Sequence, residues 1–156
     1  MLLISHRGNL NGPNPEKENN PLYITKALEL GYDVEIDVWL VQDKLYLGHD
    51  SPQYLINLDF LKNNKLWCHA KNVEALSFMI DNGVHCFWHQ QDNYCLTSKN
   101  IIWAYPRYAK FFPNKCIDVM PELENDNFTE TKDSILGICS DYVEKYQYKL
   151  TMSEEK

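Results

Sequence analysis

Residues 32–40, YDVEIDVWL, alternate apolar and polar side chains and indicate the fold most clearly. In an extended strand, successive side chains point to opposite faces. Glu35 and Asp37 therefore share one face. The opposite face carries the apolar residues Val34, Ile36 and Val38. The pattern predicts a strand that buries its apolar side and presents two carboxylates in the same direction.

A short strand, a loop and a helix are predicted before this stretch. Residues 2–4 are apolar and lead into SHRG at residues 5–8, which is typical of a buried strand that delivers polar side chains to a loop. Residues 9–20 are rich in Asn, Gly and Pro and predict a long loop. A helical pattern follows from Pro21, and Gly31 marks its end.

Further elements follow the stretch, with helices between the earlier strands and loops between the later ones. Gln42-Asp43-Lys44 predicts a turn into a return strand at residues 45–48. Asn72 is the expected N-cap of a helix over residues 73–82. The remaining predicted elements are strands at residues 65–71, 84–89, 94–97, 100–105, 116–120 and 134–139, a short helical stretch before residue 65, and a helix at residues 142–150. About seven strands in this order predict an α/β domain with a mostly parallel sheet.

The length of the chain limits the kind of barrel that these elements can form. With 156 residues, 44% of them hydrophobic, the chain fits a single packed domain over residues 1–156. A complete (β/α) barrel takes about 250 residues and at least about 200. We therefore expect a compressed or incomplete TIM-type barrel with mostly parallel strands, whose second half lacks much of its outer helical layer. Apolar surface exposed in this way would favour a homo-oligomer.

Composition excludes several classes of protein. The net charge of -7 argues against nucleic-acid binding. The sequence contains neither a secretory leader pattern nor a run of about 18 apolar residues that would predict a membrane span. Its five cysteines are scattered singly, which predicts buried thiols in a reducing compartment. We expect a soluble, cytoplasmic protein.

Polar residues collect where the predicted strands end, and a barrel carries its reactive groups at the carboxyl ends of its strands. The set comprises His6, Arg7, Glu35, Asp37, His49, His69, Lys71 and residues 89–92. Glu35 and Asp37 would repel each other unless a cation lay between them, and an oxygen-rich site suits magnesium or calcium. An outward-facing polar edge is the alternative for this pair. Lys71 could equally be solvated at a helix start, and His85 is expected at the surface.

The order and spacing of these motifs resemble the glycerophosphodiester phosphodiesterase family, within the phospholipase-C-like phosphodiesterase barrels. The resemblance is closest over residues 1–71. The segments that carry it are ISHRG at 4–8, EN at 18–19, ALELGYDVEIDVWLVQDKLYLGHD at 27–50, HAK at 69–71 and GICSDY at 137–142. Residues 87–106 resemble a segment of small uncharacterised barrels of this type.

The resemblance implies metal-assisted hydrolysis of a phosphodiester with two histidines as acid and base. It implies that His6 and His49 are these histidines, and that Arg7 and Lys71 bind the phosphate. Glu18 matches a glutamate near the site. The implied metal ligands are Glu35, Asp37 and His69.

Two departures from the family pattern bear on cofactor and substrate. His69 stands where the family usually has a glutamate, and an imidazole suits manganese, iron or zinc as well as magnesium or calcium. The segment that shapes the family's glycerol pocket is nearly absent between Asp50 and Lys65. The expected partner is a small-molecule phosphodiester, either glycerophosphodiester-like or a phosphorylated sugar.

Aromatic residues near the later strand ends add a possible substrate surface. Trp88, Trp103, Tyr105 and Tyr108 would form a rim that stacks on a sugar or a choline-like group, or they would simply pack the barrel. His89 and Asp92 would add polar contacts to the substrate.

Two rival functions remain open at this point. One is a non-catalytic barrel that binds a phosphorylated sugar or polymer in the same pocket. The other is a hydrolase of a different bond that uses a His-rich transition-metal centre containing His69 and His89.

Overall fold

The structure is a computed structural model that describes residues 1–105, 111–123, 128 and 133–154. Its strands are β1 (Leu2–His6), β2 (Asp33–Val41), β3 (Lys44–Leu47), β4 (Tyr54–Ile56), β5 (Leu66–Ala70), β6 (Cys86–Phe87), β7 (Tyr94–Leu96), β8 (Ile102–Ala104), β9 (Cys116–Val119) and β10 (Gly137–Ser140). Its helices are α1 (Pro21–Glu29), α2 (Leu58–Leu61), α3 (Val73–Asp81) and α4 (Val143–Glu154), with a 3-10 helix at Pro121–Leu123.

All ten of these strands belong to one mixed sheet. Parallel pairing joins β6, β5, β2, β1, β10, β9 and β8 in that spatial order. Antiparallel pairing adds β7 beside β8 and the hairpin of β3 and β4 beside the end of β2. The carboxyl ends of the seven parallel strands therefore lie at one edge of the sheet.

The sheet curls into a partial barrel. The Phe87 ring of β6 lies 4.7 Å from the Trp103 ring of β8, although these strands stand near opposite ends of the sheet. Trp67 of β5 lies 5.8 Å from the same Trp103 ring. Ile4 and Ile117 complete this apolar interior from β1 and β9. The predicted α/β domain with a partial barrel is confirmed.

A second core lies between the sheet and the helices. Val34, Ile36 and Val38 of β2 pack there with Ile24 of α1 and Met79 of α3, all of them fully buried. Asn72 caps α3 as predicted, since its side chain accepts a hydrogen bond from the Ala75 amide. In the described stretches between β6 and β9 there is no helix, as expected for the second half of the domain.

Several predicted boundaries are wrong because pairing partners, and not apolar runs, set the length of a strand. The strand predicted at residues 84–89 is reduced to β6, whose two residues pair with Cys68 and His69. The strand predicted at residues 134–139 begins at Gly137, opposite Leu2. The predicted count of about seven strands is also too low, because the short antiparallel strands β3, β4 and β7 add to the seven parallel strands.

Two expectations from the composition concern the cysteines and the helices. All five cysteines are free thiols, and four of them are buried. Within the described part of the chain, no helix has both the length and the apolar character needed to cross a bilayer.

Candidate functional site

The turn after β1 projects the first two polar residues. Arg7 has φ of 55° and Gly8 has φ of 92°, so two consecutive residues adopt the left-handed conformation. A Cβ on Gly8 would lie 2.7 Å from the Tyr23 ring, so only glycine fits this approach. The Arg7 amide donates to the Glu35 carbonyl at 2.9 Å. The turn is therefore tied to β2 beside the carboxylates.

Glu35 and Asp37 face the barrel interior from β2. They are only 3% and 0% exposed, so the alternative of an outward-facing polar edge is wrong. His69 lies opposite Asp37 in the parallel register of β2 and β5. Its Nδ1 is 3.1 Å from Asp37 Oδ1 and 3.8 Å from Glu35 Oε1. One ligand atom from each of the three residues lies within 4.8 Å of the others.

Hydrogen bonding orients the His69 ring. Its Nε2–H donates to the His89 carbonyl at 3.1 Å, since a carbonyl can only accept. In a neutral ring, Nδ1 would then present a lone pair to Asp37 Oδ1. Two lone pairs at this distance require a proton or a cation between them. Phe87 stacks on the same ring at 4° and 5.1 Å between centroids.

Two carboxylate oxygens at the site are buried without a hydrogen bond among the described residues: Glu35 Oε2 and Asp37 Oδ1. Buried polar atoms in native proteins nearly always have a partner. Burial and the charge of Asp37 raise the pKa of Glu35. These unpartnered oxygens, together with the His69 nitrogen, fit a bound divalent cation.

Positive groups surround Asp37. Burial opposes its ionisation, but the neighbouring His69 imidazole and the charge of Arg7 hold its pKa below the ordinary value. Arg7 Nε lies 2.9 Å from Asp37 Oδ2, and Lys71 Nζ lies 3.4 Å from Asp37 Oδ1. The Lys71 side chain is 16% exposed, so it is held in the site and not solvated. Asn19 also donates to Asp37 Oδ2 at 2.9 Å.

Asp141, immediately after β10, orients His6. His6 Nδ1 donates to Asp141 Oδ1 at 2.8 Å, while Nε2 lies 3.8 Å from Glu35 Oε2. Burial lowers the pKa of His6, but the hydrogen bond to Asp141 and the charge of Glu35 outweigh it and raise that pKa overall. Asn9 donates to both Asp141 and Glu18 at 2.8 Å.

The sequence patterns indicate no role for Asp141 or Asn9. The available signal for Asp141 is its position at the end of a predicted strand, within the GICSDY segment. Asn9 lies in a loop rich in asparagine, where nothing in the sequence distinguishes it from its neighbours.

His49 lies in the turn after β3. Gly48 has φ of 149°, and a Cβ there would lie 2.1 Å from the Ser51 carbonyl. Trp39 Nε1 donates to the Gly48 carbonyl at 2.6 Å and ties this turn to β2. The His49 ring contacts Asp50 and is 44% exposed, so it stands at the mouth of the site. Its pKa is lowered by partial burial and by the charge of Arg7.

Most of the predicted site residues line one cavity of about 330 Å³. Eight of them do so: His6, Arg7, Glu35, His49, His69, Lys71, His89 and Trp103. The rest of its wall comprises Phe87, Gln90, Tyr105, Val119, Met120 and Leu123. Glu18 lies outside this cavity, but its Oε2 is 3.1 Å from Arg7 Nη1.

The predicted aromatic rim is only partly present. Trp103 and Tyr105 line the cavity, and Tyr105 stacks on His89 with ring centroids 4.1 Å apart. Trp103 is only 4% exposed, which agrees with the barrel-packing alternative. Trp88 packs against the outer core instead of the cavity. Tyr108 lies outside the described residues.

The arrangement does not favour a His-rich metal centre. Among the described residues, the group that could hold a metal includes His69 but not His89. His89 Nε2 donates instead to the Asp92 carbonyl. His89 contacts the His69 ring through its backbone carbonyl.

His85 is buried, which corrects its expected surface position. The side chain is 6% exposed, packs 4.4 Å from the Trp67 ring, and has no hydrogen bond at Nε2 among the residues described. Burial and the charge of Lys99 lower its pKa from 6.5 to about 4. The folded state therefore holds this imidazole neutral.

Because His85 is buried as a neutral ring, we expect the folded protein to lose stability in acid. Between pH 6.5 and about 4 the unfolded state binds a proton at His85 that the folded state does not bind. The free energy of unfolding should fall as the pH drops through this window, by up to about 3 kcal/mol from this residue. Urea unfolding at several pH values across this window should give a shallower slope of unfolding free energy against pH for His85→Gln than for wild type. Equal slopes for variant and wild type would contradict the burial of a neutral ring.

In comparisons with known proteins, no family model and no curated protein matches the chain.

Proposed function

We propose that the protein is a metal-assisted phosphodiesterase that hydrolyses a small-molecule phosphodiester, on a compressed TIM-type barrel. The observation that carries the proposal is one cavity lined by the imidazoles of His6 and His49, the Arg7 guanidinium, the Lys71 ammonium and the Glu35 carboxylate. Arg7 and Lys71 also contact the Asp37 carboxylate. Phosphodiester hydrolysis needs positive groups at the non-bridging oxygens and proton transfer at the attacking and leaving oxygens. The resemblance of the sequence to glycerophosphodiester phosphodiesterases supports the same conclusion.

Glu35, Asp37 and His69 would hold the divalent cation. When bound, it would supply Lewis-acid stabilisation of the charge that develops on the phosphoryl oxygens. The two carboxylates suit magnesium or calcium, and the imidazole extends the set to manganese or zinc.

Side chains of the protein supply phosphate binding and proton transfer. Arg7 offers a planar pair of donors to the non-bridging oxygens, and Lys71 adds a point charge. One of the two imidazoles, His6 or His49, takes a proton from the attacking oxygen. The other protonates the leaving oxygen. Asp141 keeps the His6 proton on Nδ1, so that the Nε2 side of a neutral ring is free to exchange a proton with substrate.

The attacking oxygen belongs to water or to a substrate hydroxyl next to the phosphate. In the second case a cyclic phosphate forms first, and water then opens it or the cyclic product leaves. Both routes use the same imidazole pair.

A non-catalytic barrel that binds a phosphorylated sugar or polymer is the second candidate. One observation favours it: Arg7 and Lys71 already lie within 3.4 Å of Asp37 and balance its charge without a metal. Such a barrel would bind phosphate compounds through the same two cations.

Hydrolysis by metal-stripped protein separates the two candidates. We expect release of p-nitrophenolate from bis(p-nitrophenyl) phosphate, or of choline from glycerophosphocholine, after magnesium, calcium, manganese or zinc is restored. The activating metal at about 100 times its dissociation constant should also stabilise the fold by about 2.7 kcal/mol. Thermal unfolding measures that stabilisation independently of activity.

Asp81→Asn is the matched control, since Asp81 is an exposed carboxylate on α3 outside the site. This variant should retain both responses to the metal. Folded wild-type protein that is stabilised by glycerol phosphate but releases no product with any metal would favour the binding barrel.

A further inference from the structure

Glu122 connects the turn after β9 to the end of β10. It lies in the 3-10 helix that follows β9, where the pairing of the two strands has already ended at Val119 and Cys139. Its Oε1 accepts hydrogen bonds from Ser140 Oγ at 2.9 Å and from the Asp141 amide at 3.0 Å. One carboxyl oxygen therefore holds the two strand ends together beyond their backbone pairing.

Asp141 is held in place by several segments of the chain. Its amide donates to Glu122, and its carbonyl accepts from the Gly12 amide at 2.8 Å. Its Oδ1 accepts from Asn9 and from His6 Nδ1, both at 2.8 Å. The bond to Glu122 fixes the backbone from which the Asp141 side chain reaches His6.

The second carboxyl oxygen of Glu122 takes no part in these bonds. Glu122 Oε2 is buried and has no hydrogen-bond partner among the described residues. Met120 and Leu123 line the site cavity, but Glu122 does not. An effect of Glu122 on the reaction must therefore pass through the residues that it contacts.

The contact of Glu122 with Asp141 requires an acceptor oxygen and not a charge. Burial raises the pKa of Glu122, although the hydrogen bonds that Oε1 accepts oppose this rise. A proton on Oε2 would leave Oε1 able to accept both bonds. Glutamine has an oxygen at the same place and can accept them as well.

We propose that Glu122 is a positioning residue, which holds the end of β10 so that Asp141 keeps His6 oriented toward the site cavity. The inference rests on the proposed function, because it gives Glu122 a part in proton transfer by His6. It extends that function by one residue that does not contact the substrate.

NMR of the imidazole protons tests this positioning without any turnover. Wild type should show a hydrogen-bonded Nδ1 proton, and His6→Ala identifies it by removing the signal. Glu122→Ala should lose or broaden the signal, because the released backbone of Asp141 no longer fixes the acceptor. Glu122→Gln should retain it. Glu29→Ala is the matched control, since Glu29 is an exposed glutamate on α1, and it should also retain the signal.

Hydrolysis of a p-nitrophenyl phosphodiester with the activating metal tests the catalytic consequence. Glu122→Ala should lower kcat by about 10- to 10²-fold, since a misplacement of about 1 Å can cost the larger factor. KM should change little, because Arg7 and Lys71 still bind the phosphate. Glu122→Gln and Glu29→Ala should have kcat values close to that of wild type. In a His6→Ala background, Glu122→Ala should cause no further loss, because its effect passes through His6.

Glu122→Asp replaces the alanine variant if that variant does not fold. Its carboxylate is one methylene group shorter, so it should lose the bond to the Asp141 amide and show the same two effects. If neither variant folds, Glu122→Gln decides, since loss of the signal in this variant would overturn the role of an acceptor oxygen.

Three other results would overturn the inference. They are absence of the Nδ1 signal from wild type, an unchanged signal in folded Glu122→Ala or Glu122→Asp, and a full additional loss of kcat in the His6→Ala background. No turnover by wild type with any metal would overturn the proposed function instead. The imidazole signals would still show whether Glu122 positions His6.

Discussion

His6→Ala is expected to lower kcat for a p-nitrophenyl phosphodiester by about 10²- to 10⁴-fold, the range that a positioned proton-transfer group contributes. The ring lies in the site cavity, hydrogen-bonded to Asp141 at 2.8 Å and close to Glu35. Removing it takes away a proton donor or acceptor but leaves Arg7 and Lys71 to bind the phosphate. The loss should therefore appear in kcat more than in KM. Steady-state kinetics with the activating metal measures it.

A second substitution distinguishes loss of proton transfer from loss of folding. His6→Asn keeps an N–H donor for Asp141 but cannot exchange a proton at neutral pH. We expect the same loss of kcat as in His6→Ala, with a thermal midpoint closer to that of wild type. Full turnover by either folded variant would exclude His6 from proton transfer.

Most of the candidate site was predictable because its residues follow strand ends or alternate along one strand. Glu35 and Asp37 face the interior as the period of two in residues 32–40 requires. His69 and Lys71 reach the same place because β5 runs parallel to β2 in register with it. A local pattern can encode which face a side chain occupies, and parallel pairing then brings the strand ends together.

The parts that escaped prediction depend on contacts between distant segments. Asp141 reaches His6 across 135 positions through the pairing of β1 with β10, which no local pattern encodes. The orientation of His69 depends on the carbonyl of His89, and a backbone carbonyl carries no signal in the sequence. His85 was expected at the surface because it is polar, yet the curled sheet brings it against Trp67.

The two site carboxylates should respond in opposite ways to neutralisation. Glu35→Gln is expected to raise the thermal midpoint of the metal-free protein. Burial and the charge of Asp37 raise the pKa of Glu35, so its ionised form costs the folded state free energy at neutral pH. The amide keeps the shape of the side chain and removes that repulsion.

Asp37→Asn is expected to destabilise the metal-free protein by about 3–5 kcal/mol, the cost of breaking a buried ion pair. Although burial opposes its ionisation, the neighbouring His69 imidazole and the Arg7 charge lower the pKa of Asp37. Its contribution to stability is therefore present above the pKa of the unfolded carboxyl and is lost on acidification. Without this carboxylate, Glu18 at 3.1 Å is the remaining carboxylate within ion-pair distance of the Arg7 guanidinium among the described residues.

Both variants should nevertheless lose the stabilisation that the activating metal gives to wild type, because each removes a charged ligand atom from the same group. We expect the two variants to shift the stability in opposite directions and both to lose the metal response. That result would show that Glu35 serves to bind the cation, although its carboxylate lowers the stability of the metal-free protein. Calorimetric metal titration and thermal unfolding of each variant measure the two effects separately. If Glu35→Gln destabilised the metal-free protein as strongly as Asp37→Asn, then the Glu35 carboxylate would be satisfied by the protein itself. The argument for a cation from its unpartnered oxygen would then fail.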